Sequence, residues 1–393
     1  MAGKREIQRE CDRLNRARNV KTVSRLNVRA FWESAGGSFI ISGGSESLRT
    51  EVLSSKLLLE MERGTAPIVV LSASSFLESE MIRYVEEGIG GDGTLRVSSQ
   101  HYRNYHFFYG WSADDISRFL LQAASMLRYG NAELPIYIHA FIDILERCYP
   151  PGLSSISALA AHSDEQIAQI GQRCGVQGTS IEQISHFADA GVIFRLLLRQ
   201  ISETFSPLTT VECNTKYNMT NISPNLGGVF LIDMRTHMPQ LLHEYFAEEI
   251  QLALNRLPGL SVVVSDLMMP DEDPLKRMLR ETQMWNGVIG VSTQNSTISL
   301  GPNEGNFQTR MILLDSGYSD GDLENELRPL GTYTHYEPML SGGRPGKLFN
   351  IMTDTRWSLG QEPGRLRVRP IDVVGYEAVL YSGGQIQLAR SLF

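Results

Sequence analysis

The sequence contains no uninterrupted run of about 18 apolar residues, the length a helix needs to cross a bilayer. Its first residues include Lys4, Arg5, Glu6, Arg9 and Glu10 where a secretory signal would place an apolar stretch, so no membrane span and no signal are expected, and the location read from the sequence is cytoplasmic. Metal signatures are missing too. Cys11, Cys148, Cys174 and Cys213 are widely spaced, form no CxxC pair and have no His at zinc-ligand distance; the expectation is four reduced thiols in a cytosolic protein. The eight histidines include no HExxH pair, and His237 and His243, six apart, do not share a helical face and are expected at the surface. There is no GxSxG elbow and no Cys–His nucleophile pair. The acidic stretch Asp271-Glu272-Asp273 reads as a solvated loop and helix cap. The run from Asp315 to Asp322 lacks EF-hand spacing and reads as a turn.

What is present suits a soluble α/β protein. Across 393 residues 42% are hydrophobic, enough for one large α/β domain and a second unit. The net charge of −8 excludes a uniformly basic nucleic-acid binder, but the distribution is uneven: residues 1–30 carry +6 and the remainder −14. That basic segment reads as a helix with Ile7, Cys11 and Leu14 on one docking face, or as an arm that meets phosphate or an acidic neighbour.

Residues 38–42 (SFIIS) read as a short buried strand ending in Gly43-Gly44. In the following SESLRTEVLSSKLLLEMER, Leu48, Val52, Leu53, Leu57, Leu58 and Met61 fall at helical spacing, with Ser45 or Ser47 as N-cap. The run from Pro67 to Leu71 suits a strand buried on both faces of a parallel sheet, so the chain opens with a β-α-β unit. From 112 to 205 helical patterns replace β-branched runs. From about 227 strands return at 228–233, 260–266, 288–294 and 307–314, with helices between them; Asp273 and Pro274 mark the start of one. A hairpin is expected at Gly383-Gly384.

In an open parallel sheet ligands bind at the carboxyl ends of the strands. Three such ends carry suitable groups: Gly43-Gly44, Asp266 and Gln294. A glycine turn at a helix N-terminus faces phosphate with N–H groups, a strand-end carboxylate holds Mg²⁺ or its water, and a strand-end amide senses the γ-phosphate. Against the phosphate-loop pattern GxxxxGK(S/T), residues 43–50 keep the first Gly and the final Thr50 but carry Leu48 for the second Gly and Arg49 for the Lys. A bulky residue resists positive φ, a planar guanidinium does not sit where an ammonium sits, and Glu46 inside the loop repels phosphate. Leu267 follows Asp266 where a catalytic Glu commonly stands. Together these departures point away from fast hydrolysis.

The order of these features resembles the coupling-protein ATPases of type IV secretion and conjugation, within the FtsK/HerA-like P-loop group. The resemblance spans roughly residues 30–315. It rests on the strand-loop-helix at 38–61, the helical insert, the VVVSD strand ending at Asp266, and VIGVSTQNS with its Thr-Gln at 293–294. It implies a P-loop NTPase-like parallel sheet flanked by helices with an all-helical insert. The implied organisation is a basic N-terminal helical arm (1–30), a core (31–111 and 206–393) and an all-α insert (112–205). It places Gly43, Gly44, Ser45, Arg49 and Thr50 at nucleotide, Thr50 and Asp266 at the metal, and Gln294 as sensor. It implies ATP and Mg²⁺ as ligands, and a homo-oligomer, DNA or the secretion and conjugation machinery as partners. No residue is assigned a confident catalytic role. Three readings stand: a degenerate module that assembles and recruits with weak or no hydrolysis, a nucleotide-free scaffold, and an active DNA-translocating ATPase using Arg49.

Overall fold

The computed structural model describes residues 4–64, 67–87, 95–176, 178–210, 218–221, 228–235, 239–257, 259–270, 273–284, 288–294, 307–314, 318–341 and 356–392. Cys213, His237, Asp271, Glu272 and Asp315 lie outside the described residues. The chain divides into two units, one of residues 1–52 and 293–393, the other of residues 53–292.

The first unit begins with α1 (Lys4–Asn15), β1 (Val20–Val23), α2 (Val28–Ser34) and β2 (Phe39–Gly43), and α3 (Glu46–Arg63) starts within it. Cys11, on the face predicted for docking, is buried, and α1 packs on a long antiparallel hairpin of β9 (Thr332–Ser341) and β10 (Arg356–Leu366). Asn15 clips the helix there: its amide donates to the Tyr336 carbonyl and its oxygen accepts from the Tyr336 N–H, each at 2.9 Å. β2 pairs in parallel with β8 (Thr309–Leu313), and both are buried at every position. β11 (Ala378–Ser382) and β12 (Gln385–Ala389) form the expected hairpin. Its two-residue turn, Gly383 (φ +55°) and Gly384 (φ +79°), has the double positive φ that a tight hairpin demands. Ile312, Leu327, Leu330, Val368, Val379 and Ile386 build a core beneath it, to which α13 (Asp320–Leu327) contributes.

The second unit holds β3 (Pro67–Ser72), α4 (Ser75–Glu86), β4 (Leu95–Ser98), β5 (Gly228–Asp233), α11 (Pro239–Arg256), β6 (Ser261–Ser265), α12 (Pro274–Met284) and β7 (Ile289–Thr293). Its strands run β7-β6-β3-β5-β4, all parallel; those of the first unit run β1-β12-β11-β8-β2. Among the described residues, six α-helices lie between β4 and β5: α5 (Ala113–Met126), α6 (Leu134–Cys148), α7 (Leu153–Ala160), α8 (Asp164–Arg173), α9 (Gly178–His186) and α10 (Ala188–Phe205). Their starts are written in the sequence. Ser112 caps α5, and Ser163 with Gln166 forms a capping box at α8. An aromatic knot seats this insert within its unit: Phe107 stacks on Phe205 at 4.0 Å and Trp111 on Tyr245 of α11 at 4.9 Å.

One expectation is corrected here. His243 is buried, not superficial, with Nδ1 2.6 Å from Asp273 Oδ2. The same Asp273 caps α12 as predicted, accepting from the N–H groups of Leu275 and Lys276. Cys148 and Cys174, far apart in sequence, are brought together in the insert.

Candidate functional site

β2 delivers Gly43 and Gly44 to the carboxyl end of its sheet, and both adopt positive φ, +76° and +65°. At Gly43 the requirement is absolute. A Cβ there would stand 2.1 Å from Tyr318 Oη and 2.4 Å from the Leu313 carbonyl oxygen. The Gly43 N–H donates to the carbonyl of Gln294 at 3.1 Å, so Gln294 anchors the turn by its backbone while its side chain is exposed.

Ser45 is the helix cap: its Oγ accepts from the Leu48 N–H, and its carbonyl accepts from the Arg49 N–H. α3 therefore begins at Glu46. The phosphate-loop pattern needs six loop residues from Gly43 through Leu48, but Glu46, Ser47 and Leu48 are already helical. The turn between β2 and α3 is correspondingly tight. The Glu46 carboxylate occupies the first helical turn, where negative charge complements the helix dipole.

Arg49 is the central feature. Its guanidinium is buried, 5% exposed, and Nη1 donates to the carbonyls of Gly43 (3.0 Å) and Gly44 (2.5 Å). In this geometry the cation that the pattern would aim at phosphate is turned onto the turn's own backbone. Thr50 lies beside it, buried in α3. The residues present therefore do not fit a wrapped triphosphate as they stand. The loop is too short, Glu46 brings like charge, and Arg49 fills the space between strand end and helix.

Two residues near the turn carry no sequence signal. Glu326 of α13 accepts from Ser42 Oγ at 2.8 Å, both groups buried, and Tyr318 closes over Gly43. Glu326 looks like one more charge in an acidic surface helix; only the fold, 284 residues on, sets it beside β2.

In the second unit, Asp266 follows β6 with φ +56°, a conformation uncommon outside Gly, Asn and Asp. Its N–H donates to the Ser292 carbonyl at 2.8 Å, and its carboxylate accepts from Ser265 Oγ at 3.1 Å. At the end of β5, Arg235 grips Asp233 through Nε (2.8 Å) and Nη2 (2.9 Å) and reaches Glu78 at 3.3 Å. Glu78 also accepts from Ser99 Oγ. Among the described residues no three His, Cys, Asp or Glu side chains converge as a metal site, and no helix is long and apolar enough to cross a membrane.

This arrangement, a mostly parallel sheet flanked by helices with a glycine turn at a strand end and a helical insert, is a P-loop NTPase-like α/β fold. Comparison with solved structures makes it more specific: the fold is that of a conjugative coupling protein. The unbound monoclinic form of the bacterial conjugative coupling protein TrwBΔN70 superposes with a TM-score of 0.52 at 13% identity over 90% of this chain and 84% of that one. Its trigonal form in complex with sulphate superposes equally, TM-score 0.52 and 13% identity, over 96% and 91%. VirB4 of Thermoanaerobacter pseudethanolicus aligns at a TM-score of 0.44 and 11% identity over 78% and 84%, too low to define a shared fold. No family model and no curated protein sequence matches the chain.

Proposed function

We propose that this chain is a degenerate coupling-protein-like P-loop module that takes part in DNA or protein transfer by assembling and recruiting, with weak or no ATP hydrolysis. The fold supports the first half of the reading, through its likeness to TrwB, a conjugative coupling protein. The observation that carries the second half is the bond pair from Arg49 to the Gly43 and Gly44 carbonyls. A phosphate-bearing ligand would have to displace both bonds and unwind the first turn of α3. Each buried carbonyl left without a donor costs about 1–3 kcal/mol, which the ligand must offset before any net binding. In this reading Gly43, Gly44, Ser45, Arg49 and Thr50 form a turn that keeps the shape of a strand-to-helix junction without its phosphate chemistry. Thr50 and Asp266 are the metal-side candidates, and Gln294 acts by holding Gly43.

Calorimetric titration of ATP and ADP with Mg²⁺ into the full chain tests this, alongside phosphate release with and without DNA. The expected result is binding no tighter than millimolar, and no turnover. Micromolar binding that Arg49→Ala and Asp266→Ala each abolish, with phosphate release, would overturn the reading in favour of an active ATPase using Arg49. Absence of binding at millimolar nucleotide leaves the scaffold form of the proposal, whose partners are then sought with the assembled transfer machinery.

A further inference from the structure

The second unit contains a pair of thiols that its other chemistry does not use. Cys148 is the last residue of α6, and Cys174 caps the end of α8. Both converge on one backbone atom: the Ile170 carbonyl accepts from the Cys174 N–H at 3.0 Å and lies 3.9 Å from Cys148 Sγ. The helices carrying them approach closely because Gly171 has no side chain. A Cβ there would stand 3.2 Å from Cγ1 of Ile144, one turn before Cys148 on the same face of α6. The two thiols are close enough to influence one another electrostatically, Cys174 is exposed, and Cys148 is half-buried. Beyond Cys174, Gly175 takes φ +75°, and the chain folds back on the helix end through Val176, whose N–H donates to the Gly171 carbonyl at 3.0 Å.

We propose that Cys148 and Cys174 form an oxidisable dithiol that a small external disulfide of the glutathione class converts to an intramolecular bond tying the end of α6 to the end of α8. The chemistry is two successive exchanges. The exposed Cys174 thiolate attacks the external disulfide, forming a mixed disulfide and releasing one thiolate, which takes up the proton that Cys174 lost. Cys148 then loses its proton and attacks the Cys174 sulfur, forming the internal bond and releasing the second small thiol. The protein gives up two thiol hydrogens and two electrons, and the external disulfide is reduced to two thiols. The order follows from the surroundings. Burial, and then the neighbouring Cys174 group, push the Cys148 thiol up to about 12, so it is protonated at neutral pH and does not attack first. Once Cys174 is in a mixed disulfide its anionic form no longer opposes ionisation of Cys148.

The full chain is incubated with oxidised glutathione, and its thiols are counted before and after with a chromogenic disulfide reagent and mapped by peptide mass. The expected result is loss of two of the four thiols, a linked Cys148–Cys174 peptide, a melting temperature several degrees higher, and reversal of all three by dithiothreitol. Cys148→Ala is expected to stop at a glutathione adduct on Cys174, and Cys174→Ser, an exposed change that leaves the fold intact, to lose the reaction at both positions. Four thiols remaining free would overturn the proposal. So would independent adducts on Cys148 and Cys174 without a linked peptide, or a linked peptide that includes Cys11 or Cys213.

Discussion

Two strand-to-helix turns, one in each unit, solve the same problem with different chemistry. Between β2 and α3 the backbone turns on two positive-φ glycines, one serine caps the helix, and a buried arginine satisfies the glycine carbonyls. Between β3 and α4 no glycine is used. Ser72 Oγ accepts from the Ser74 N–H, and Ser74 Oγ caps α4 through the N–H groups of Phe76 and Leu77. At the neighbouring strand end Arg235, 39% exposed, pairs with the carboxylates of Asp233 and Glu78 rather than with backbone. The glycine turn has the torsions of an anion cradle, but its Gly43 N–H and the nearby Arg49 guanidinium are engaged internally. Glycine content alone therefore does not make a phosphate site; the direction of the nearby cation decides.

The comparison is broken most severely at Gly43. Gly43→Ala places a methyl group against Tyr318 Oη and the Leu313 carbonyl and forces an unfavourable positive φ. Strain and overpacking together are expected to cost on the order of 4 kcal/mol. Gly64→Ala is the control: its φ is +58°, but nothing lies within 4 Å of the added carbon, so the cost is about 1 kcal/mol. Urea unfolding of the two variants measures the difference. Equal losses would mean that the close approach over Gly43 contributes nothing.

The two arginines sharpen it further. Arg49→Ala leaves two buried carbonyls without donors and is expected to destabilise by about 3 kcal/mol. Arg49→Lys recovers part of that, because one ammonium cannot reproduce the fork. Arg235→Ala removes a half-exposed partner from Asp233, which keeps its bond from the Arg235 backbone N–H, and is expected to cost about 1 kcal/mol. A larger loss at Arg235 than at Arg49, read from denaturant midpoints, would reverse the ranking of the two turns.

Much of this architecture is legible from sequence because its signals are local. The continuous apolar run at 67–71 announces a strand buried on both faces, and Gly383-Gly384 announces its hairpin. The helical repeats from 113 to 205 are equally plain. The candidate turn is only half legible. Gly43-Gly44 is visible, but Ser45 and Ser47 are both credible caps, and the choice of Ser45 is what starts α3 early and shortens the loop. Contacts made at a distance are invisible: Ser42 with Glu326, His243 with Asp273, Cys148 with Cys174. The spacing of His243 from His237 says nothing of a partner thirty residues further on.

The second unit is also expected to respond to pH. Glu249 of α11 is buried, accepts from Tyr105 Oη (2.6 Å) and the Met219 N–H (3.2 Å), and faces Tyr245 as well. Burial raises it to about 7 against the hydrogen bonds that favour its anion; Glu244, raised by burial and by Glu248, also reaches about 7. Below the ordinary carboxyl value of 4.5 folded and unfolded chains are both protonated, and the stabilisation is complete. As pH rises the unfolded chain releases its proton first, so stability falls until the folded groups ionise near 7. The expected slope between about pH 5 and about pH 7 is a loss of up to about 1.4 kcal/mol per pH unit for each group. Glu249→Gln should remove about half of it, and the double change with Glu244→Gln nearly all, as read from urea midpoints at matched ionic strength. A slope unchanged in both variants would place the titrating groups elsewhere and leave Glu249 a permanently ionised acceptor for its tyrosines.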